Sequence, residues 1–268
     1  MGERHAIDRV DEPVTVSSLV ADLRELGIEG GETVLVHSSL STLGWVSGGA
    51  PAVVDALLET VTESGTLVVP THTYQYSDPA DWSNPPVPDE WIEIIHESIP
   101  PFRPAVTPAW AMGAIPECFR NYPDVHRSRH PELSFAAWGA DAEAVVADHS
   151  FDYALGEESP LARIYERDGK VLLLGVDYMV NTSIHLAEYR ATFPRELVEH
   201  GAPVLEDGEQ VHVEYEDIVT STDDFADLGA DFEREVGART GEVGAATAKL
   251  LDQPKLVDFA VEWFEEHR

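Results

Sequence analysis

Two short runs rich in β-branched residues, Thr33-Val-Leu-Val-His37 and Thr66-Leu-Val-Val-Pro-Thr71, constrain this chain more than any other feature. Runs so uniformly apolar suit strands covered on both faces. Between them lie a Ser-, Thr- and Gly-rich stretch from Ser38 to Gly49 and a segment placing Val53, Val54, Leu57, Leu58 and Val61 on one helical face. Pro51 falls where a first helical turn tolerates it, and Gly65 ends the pattern. Strand, loop, helix and strand in that order make a βαβ unit, which implies a parallel sheet with helices on both faces.

The remaining segments fit that plan. Val16, Leu19, Val20, Leu23 and Leu26 share a helical face that Gly27 and Gly30-Gly31 close. Lys170-Val-Leu-Leu-Leu-Gly175 predicts a third buried strand, with a helix over 182–191 after it. Helices are expected around 112–119 and 141–147, a strand or loop near 134–139, and a hairpin over 202–219. The tail from Phe225 reads as mostly helical, with Leu256, Phe259, Ala260, Trp263 and Phe264 on one face. Residues 72–109 differ in character: they hold eight prolines together with Tyr74, Tyr76, Trp82 and Trp91, and Trp110 follows. Disordered linkers are poor in aromatics, so a lid-like excursion is the better reading. The fold class is therefore α/β: a mostly parallel or mixed central sheet flanked by helices, one domain over 1–268, with an aromatic and proline-rich lid insertion at 72–109.

Three segments could carry chemistry. The first is the loop from Ser38 to Gly49, which leads from a strand into a helix. Ligands of open α/β sheets bind beyond the carboxyl ends of strands, and a helix N-terminus favours an anion. The loop matches neither a Walker nor a dinucleotide fingerprint, and a plain Gly/Ser connection reads equally well. The second is Arg127-Ser-Arg-His-Pro-Glu-Leu-Ser-Phe135, whose arginines suit an anion or a set of ion pairs. The third is Gly175-Val-Asp-Tyr-Met-Val-Asn-Thr-Ser-Ile-His-Leu-Ala-Glu188. If Thr182 caps the helix, His185 and Glu188 stand at i and i+3 on one face, as a general base and its orienting carboxylate or as an exposed pair. His37, His72, His130 and His185 raise a zinc-based amidohydrolase as an alternative, but no paired-ligand motif contains them and no metal is expected.

Charge removes other classes. The chain carries 17 basic and 50 acidic residues, a net charge of −33, with 14 Arg and only 3 Lys. Like charges repel, so neither nucleic acid nor an anionic membrane is an expected partner. Self-repulsion on this scale becomes tolerable in molar salt, where the screening length falls to about 3 Å. The composition thus reads as that of a halophilic, cytoplasmic protein. No apolar segment has the length of a membrane span, and the single cysteine, Cys118, excludes a disulfide framework.

Five segments together resemble the aminoglycoside 3-N-acetyltransferase family. They are Leu35-Val-His-Ser-Ser-Leu-Ser-Thr-Leu-Gly44 with Gly48-Gly49, Met112-Gly-Ala-Ile-Pro-Glu-Cys-Phe-Arg120, the Arg127 to Gly139 stretch, Ser159-Pro-Leu-Ala-Arg163 and Asn181-Thr-Ser-Ile-His-Leu-Ala-Glu188. They occur in order over about residues 14–268, and five in order are specific where each alone is weak. The resemblance implies transfer of an acetyl group from acetyl-CoA to a primary amine such as the 3-amino group of an aminoglycoside. It also implies that His37, Ser38, Ser39, Leu40, Gly48 and Gly49 receive the pantetheine and phosphates, and that Arg127, His130, Ser134 and Phe135 complete the cofactor cleft. His185 would be the general base, Glu188 its partner, and Thr182 would lie close to the thioester. The implied partners are CoA and a small amine, and a homodimer is compatible with the family. A CoA-binding protein without catalysis on the same scaffold is the remaining alternative.

Overall fold

The computed structural model describes residues 3–83 and 85–268. Helix α1 (Glu3–Ile7) precedes α2 (Val16–Leu26), which Thr15 and Ser18 open as a reciprocal capping box and Gly27 closes at φ 107°. The βαβ unit follows as β1 (Thr33–Ser38), α3 (Ala50–Val61) and β2 (Thr66–Pro70). Then come α4 (Asp89–Ser98), α5 (Ala114–Phe119), β3 (His126–Arg127), β4 (Phe135–Gly139), α6 (Ala142–Val146), α7 (Pro160–Tyr165), β5 (Lys170–Leu174) and α8 (Ser183–Arg190). The chain ends with β6 (Leu197–Glu206), β7 (Glu209–Ile218), α9 (Phe225–Glu235), β8 (Arg239–Val243), β9 (Ala246–Asp252) and α10 (Gln253–His267).

Seven strands form one mixed sheet in the order β3-β4-β2-β1-β5-β9-β8. At its centre β1 runs parallel to both β2 and β5, and every other pairing is antiparallel. Side chains alternate across the central strands, as the period of two requires. Val34, Val36, Leu67, Val69, Leu172 and Leu174 pack with α2, α3 and α5 on one face, while Leu35, Val68, Val171 and Leu173 pack with the helices of the other. Both faces are dry, which is why these strands read as unbroken apolar runs.

The tail departs from the helical expectation. Between α9 and α10 the chain forms the β8–β9 hairpin, and β9 lies beside β5 in the sheet. Ala246-Thr-Ala-Lys-Leu-Leu is composed of good helix formers, yet Ala248 and Leu250 bury on one face of the sheet and Leu251 on the other. Tertiary burial overrides local propensity here. The β6–β7 hairpin is also longer than expected, spanning ten residues in each strand. Residues 72–109 contain α4, none of whose residues is buried, and meet that hairpin through a small core of Tyr76 and Phe102 with Ala202, Val204 and Tyr215. The Phe102 N–H donates to the Pro203 carbonyl at 2.8 Å.

Candidate active site

The three parallel strands end on one side of the sheet, so the loops after Ser38, Pro70 and Leu174 gather there. They enclose a cavity of about 960 Å³. Its wall takes His37, Ser38, Ser39 and Leu40 from the first loop, His72 and Tyr74 from the second, and Thr182 and His185 from the third. Residues 111–114 and the Asp217 end of β7 complete it.

The start of α8 is built by side chains that satisfy its free N–H groups. Asn181 Oδ1 accepts from the Ser183 N–H at 3.2 Å, and in the single turn just before α8 Asp177 Oδ1 accepts from the Met179 N–H at 3.0 Å. Thr182, expected to cap the helix, already has helical angles (φ −58°, ψ −25°), and its hydroxyl makes no capping bond. Asn181 performs that role instead. The Thr182 N–H donates to His37 Nε2 at 3.3 Å, which ties the end of β1 to the start of α8. Burial, with the nearby His185 acting in the same direction, lowers the His37 pKa to about 3. His37 is therefore a neutral acceptor.

One turn into α8, His185 Nδ1 meets Glu188 Oε2. A carboxylate can only accept, so Nδ1 is the donor, and in a neutral imidazole held this way the lone pair is on Nε2. Glu188 is 1 % exposed and lies behind the cavity wall. Its other oxygen accepts from Arg268 Nη1 at 2.5 Å and from the Ser221 N–H at 3.2 Å. The Phe225 ring packs 4.9 Å from the His185 ring and shields this side.

The other expected residues divide. His130 lines the cavity but spends its ring on structure: Nδ1 accepts from the Glu132 and Leu133 N–H groups, and Nε2 donates to the Phe151 carbonyl. Burial holds it well below its ordinary pKa. Arg127, expected beside a phosphate, is instead committed to the protein. Its guanidinium donates to the carbonyls of Thr71 at 2.7 Å, Thr107 at 2.5 Å and Pro104 at 3.1 Å, and to the hydroxyls of Thr71 and Ser134. Ser134 in turn donates to the Thr71 carbonyl at 2.8 Å, and Phe135 is wholly buried in β4. Arg127 and Ser134 thus clamp the 72–109 segment to the sheet edge and do not line the cavity. Gly48 and Gly49, at φ 94° and 62°, open α3 outside the cavity wall. His37, His72, His130 and His185 share the cavity, yet among the described residues no three His, Cys, Asp or Glu side chains are grouped to hold a metal ion.

The cavity also contains residues that the sequence did not single out. Glu132 and Asp217 line it, 6 % and 5 % exposed. Burial raises the pKa of each, opposed at Glu132 by the Tyr215 hydroxyl and at Asp217 by that of Tyr189. In an acidic chain these two carboxylates look like ordinary surface charge. The available signal was the alternation in β7, which places Asp217 on the same face as the apolar-bodied Tyr215. His72 was noted only as a metal candidate. Burial lowers its pKa to about 3, with His37 and His185 contributing, so it too is neutral.

The family model described as aminoglycoside 3-N-acetyltransferase matches residues 35–265. The SPbeta prophage-derived aminoglycoside N(3')-acetyltransferase-like protein YokD of Bacillus subtilis (strain 168) is 46 % identical, over 94 % of this chain and 93 % of that protein. The aminoglycoside N(3)-acetyltransferase VII of Streptomyces paromomycinus is 37 % identical over 99 % of this chain and 96 % of that one. Among solved structures, AAC-IIIb in a binary complex with CoASH superimposes with a TM-score of 0.86, at 33 % identity over 95 % of this chain and 97 % of the other.

Proposed function

The chain belongs to the aminoglycoside 3-N-acetyltransferase family, a family of acyltransferases, and we propose that it transfers the acetyl group of acetyl-CoA to a primary amine with His185 as general base. The proposed acceptor is the 3-amino group of an aminoglycoside. The observation that carries the reading is the His37–Thr182 bond, because it sets the strand-end loop and the His185 helix on one cavity wall.

The cavity suits both substrates. The Ser38 hydroxyl and His72 Nε2 are buried there without protein partners, as a polar ligand would require. Acetyl-CoA would lie along Ser38, Ser39 and Leu40 and supply the thioester. Glu132 and Asp217 would attract the remaining ammonium groups of a polycationic acceptor. An ammonium has no lone pair, so the attacking nitrogen must be neutral. As it bonds to the carbonyl carbon, His185 Nε2 takes its proton and the carbon–sulfur bond breaks. The thiolate that leaves takes that proton back from the imidazolium, which gives the free thiol and restores the neutral imidazole. Glu188 holds the imidazole in the tautomer this needs and stabilises the imidazolium that forms. No acyl-enzyme is required, since the amine reaches the thioester directly.

The acidity of the chain accords with a halophilic, cytoplasmic setting, which also belongs to this reading. Thiol release from acetyl-CoA across an amine panel in molar KCl tests the whole. Turnover should appear with aminoglycosides and fall by ~10²–10⁴ in His185→Ala with little change in CoA affinity. Full turnover in that variant would remove His185 from the mechanism. Thermal stabilisation by CoA without thiol release from any amine would show a binding protein instead.

A further inference from the structure

The carboxylate of Glu188 is held by more than its histidine. Arg268, just past α10, donates from Nη1 to Glu188 Oε1 at 2.5 Å. The same guanidinium grips both oxygens of Asp224, through Nε at 2.7 Å and Nη2 at 2.6 Å, and donates to the Ser221 carbonyl at 3.1 Å. Its Cζ lies 3.9 Å from the Phe264 ring centroid, and its side chain is only 16 % exposed. Ser221 closes the circuit by donating its own N–H to Glu188 Oε1. One fork therefore joins α10, the 221–224 segment and the carboxylate behind His185. Thr220 and Thr222 of that segment line the cavity.

We infer that Arg268 is a positioning residue for the acetyl transfer: it keeps the Glu188 carboxylate aimed at His185 Nδ1 and fixes the 220–222 stretch of the cavity wall. The inference rests on His185 being the general base. Arg268 meets two carboxylates at once, Glu188 behind His185 and Asp224 in the segment before α9. Without that cation the buried Glu188 carboxylate would keep its histidine but lose the guanidinium that fixes its other oxygen. Arg268 balances the two carboxylates, and a planar fork is needed because three separate acceptors must be met at once. The groups facing the pair are Arg268 from α10, Asp224 from the segment before α9, His37 from β1, His72 after β2, and Tyr189 on α8, whose hydroxyl donates to Asp217. Phe225 covers the remaining side.

The test compares Arg268→Gln, Arg268→Lys and His185→Ala by thiol release over a pH series, with unfolding followed in parallel. Removal of the cation leaves the carboxylate beside His185 without its balancing charge, so the ascending limb of kcat against pH should move up by about one unit in Arg268→Gln. Its kcat at neutral pH should fall about tenfold while KM for acetyl-CoA holds. Arg268→Lys restores the charge but not the fork, so its limb should return toward the wild-type position with kcat still reduced. A folded Arg268→Gln with unmoved limb and unchanged kcat overturns the inference, as does equal loss in both variants with no shift. If Arg268→Gln does not fold, wild-type kcat in Arg268→Lys overturns it. Full activity in His185→Ala overturns the general-base reading beneath it; an inactive His185→Ala beside unaffected Arg268 variants sinks this inference alone.

Discussion

Burial keeps His37, His72, His130 and His149 neutral, and that neutrality has a consequence for stability in acid. Desolvation lowers the His149 pKa to about 4, although its Nε2 donates to the Ala154 carbonyl at 2.6 Å. Above pH 6.5 the residue is neutral both folded and unfolded, and pH has no effect through it. Below 6.5 the unfolded chain takes up a proton that the folded chain refuses. Stability is then lost at about 1.4 kcal/mol per pH unit until pH reaches the folded value. Protonation of surface carboxylates relieves repulsion and acts in the opposite sense, so a paired comparison is required. The stability difference between wild type and His149→Gln should shrink by about 2 kcal/mol between pH 7.5 and 5, read from denaturant titrations. A difference constant with pH would show that His149 protonates inside the fold. The same balance of burial against charge explains what could be read in advance. His185 and Glu188 were legible because i, i+3 spacing on a helix is a local rule. The bonding of Arg127 was not legible because its partners, the Thr71, Pro104 and Thr107 carbonyls, are all 20 or more positions away, and no local pattern announces them. Arg268 was invisible for the same reason, being 80 positions from Glu188.

At the scale of elements, the loops after β1 and β5 are pressed together by a residue with no side chain. Gly175 ends β5 at φ 68°, and a Cβ there would collide with Thr42 Oγ1 and crowd Ala246. Thr42 belongs to the turn whose first residues, Ser39 to Ser41, line the cavity. Gly175→Ala should therefore act twice: strain at positive φ lowers stability by about 1–3 kcal/mol, and the displaced turn weakens CoA binding. Thermal unfolding and calorimetric CoA titration separate the two effects. Lost stability with an unaltered Kd would show that the turn and the strand end move independently. The parallel β2-β1-β5 core was legible because apolar runs and a helical crossover leave little choice of topology. The β8–β9 hairpin was not, since Ala246 to Leu251 favours helix until it is offered the open edge of β5. That edge is long-range information, present only once the sheet exists.

Over the whole molecule, 50 acidic residues surround two apolar layers that are ordinary in content and position. The cores favour the compact state at any salt concentration, whereas the net charge of −33 opposes it by an amount that depends on screening. The screening length falls from about 10 Å at 0.1 M salt to about 3 Å at 1 M. Neighbouring carboxylates on one surface interact fully at the first distance and weakly at the second. The melting temperature should accordingly climb steeply between 0.1 and about 1 M KCl and then flatten as screening nears completion. Sucrose at matched water activity should not reproduce the steep phase, because a neutral osmolyte acts by exclusion and leaves Coulomb repulsion intact. The proposed attraction of a polycationic acceptor to the Glu132 and Asp217 wall would be screened by the same ions, although both carboxylates are buried. Its KM should rise over the range where the melting temperature rises, but by less than a surface site would show. A melting temperature that ignores KCl, or follows sucrose equally, would mean that repulsion does not limit this fold and that the acidity has another cause.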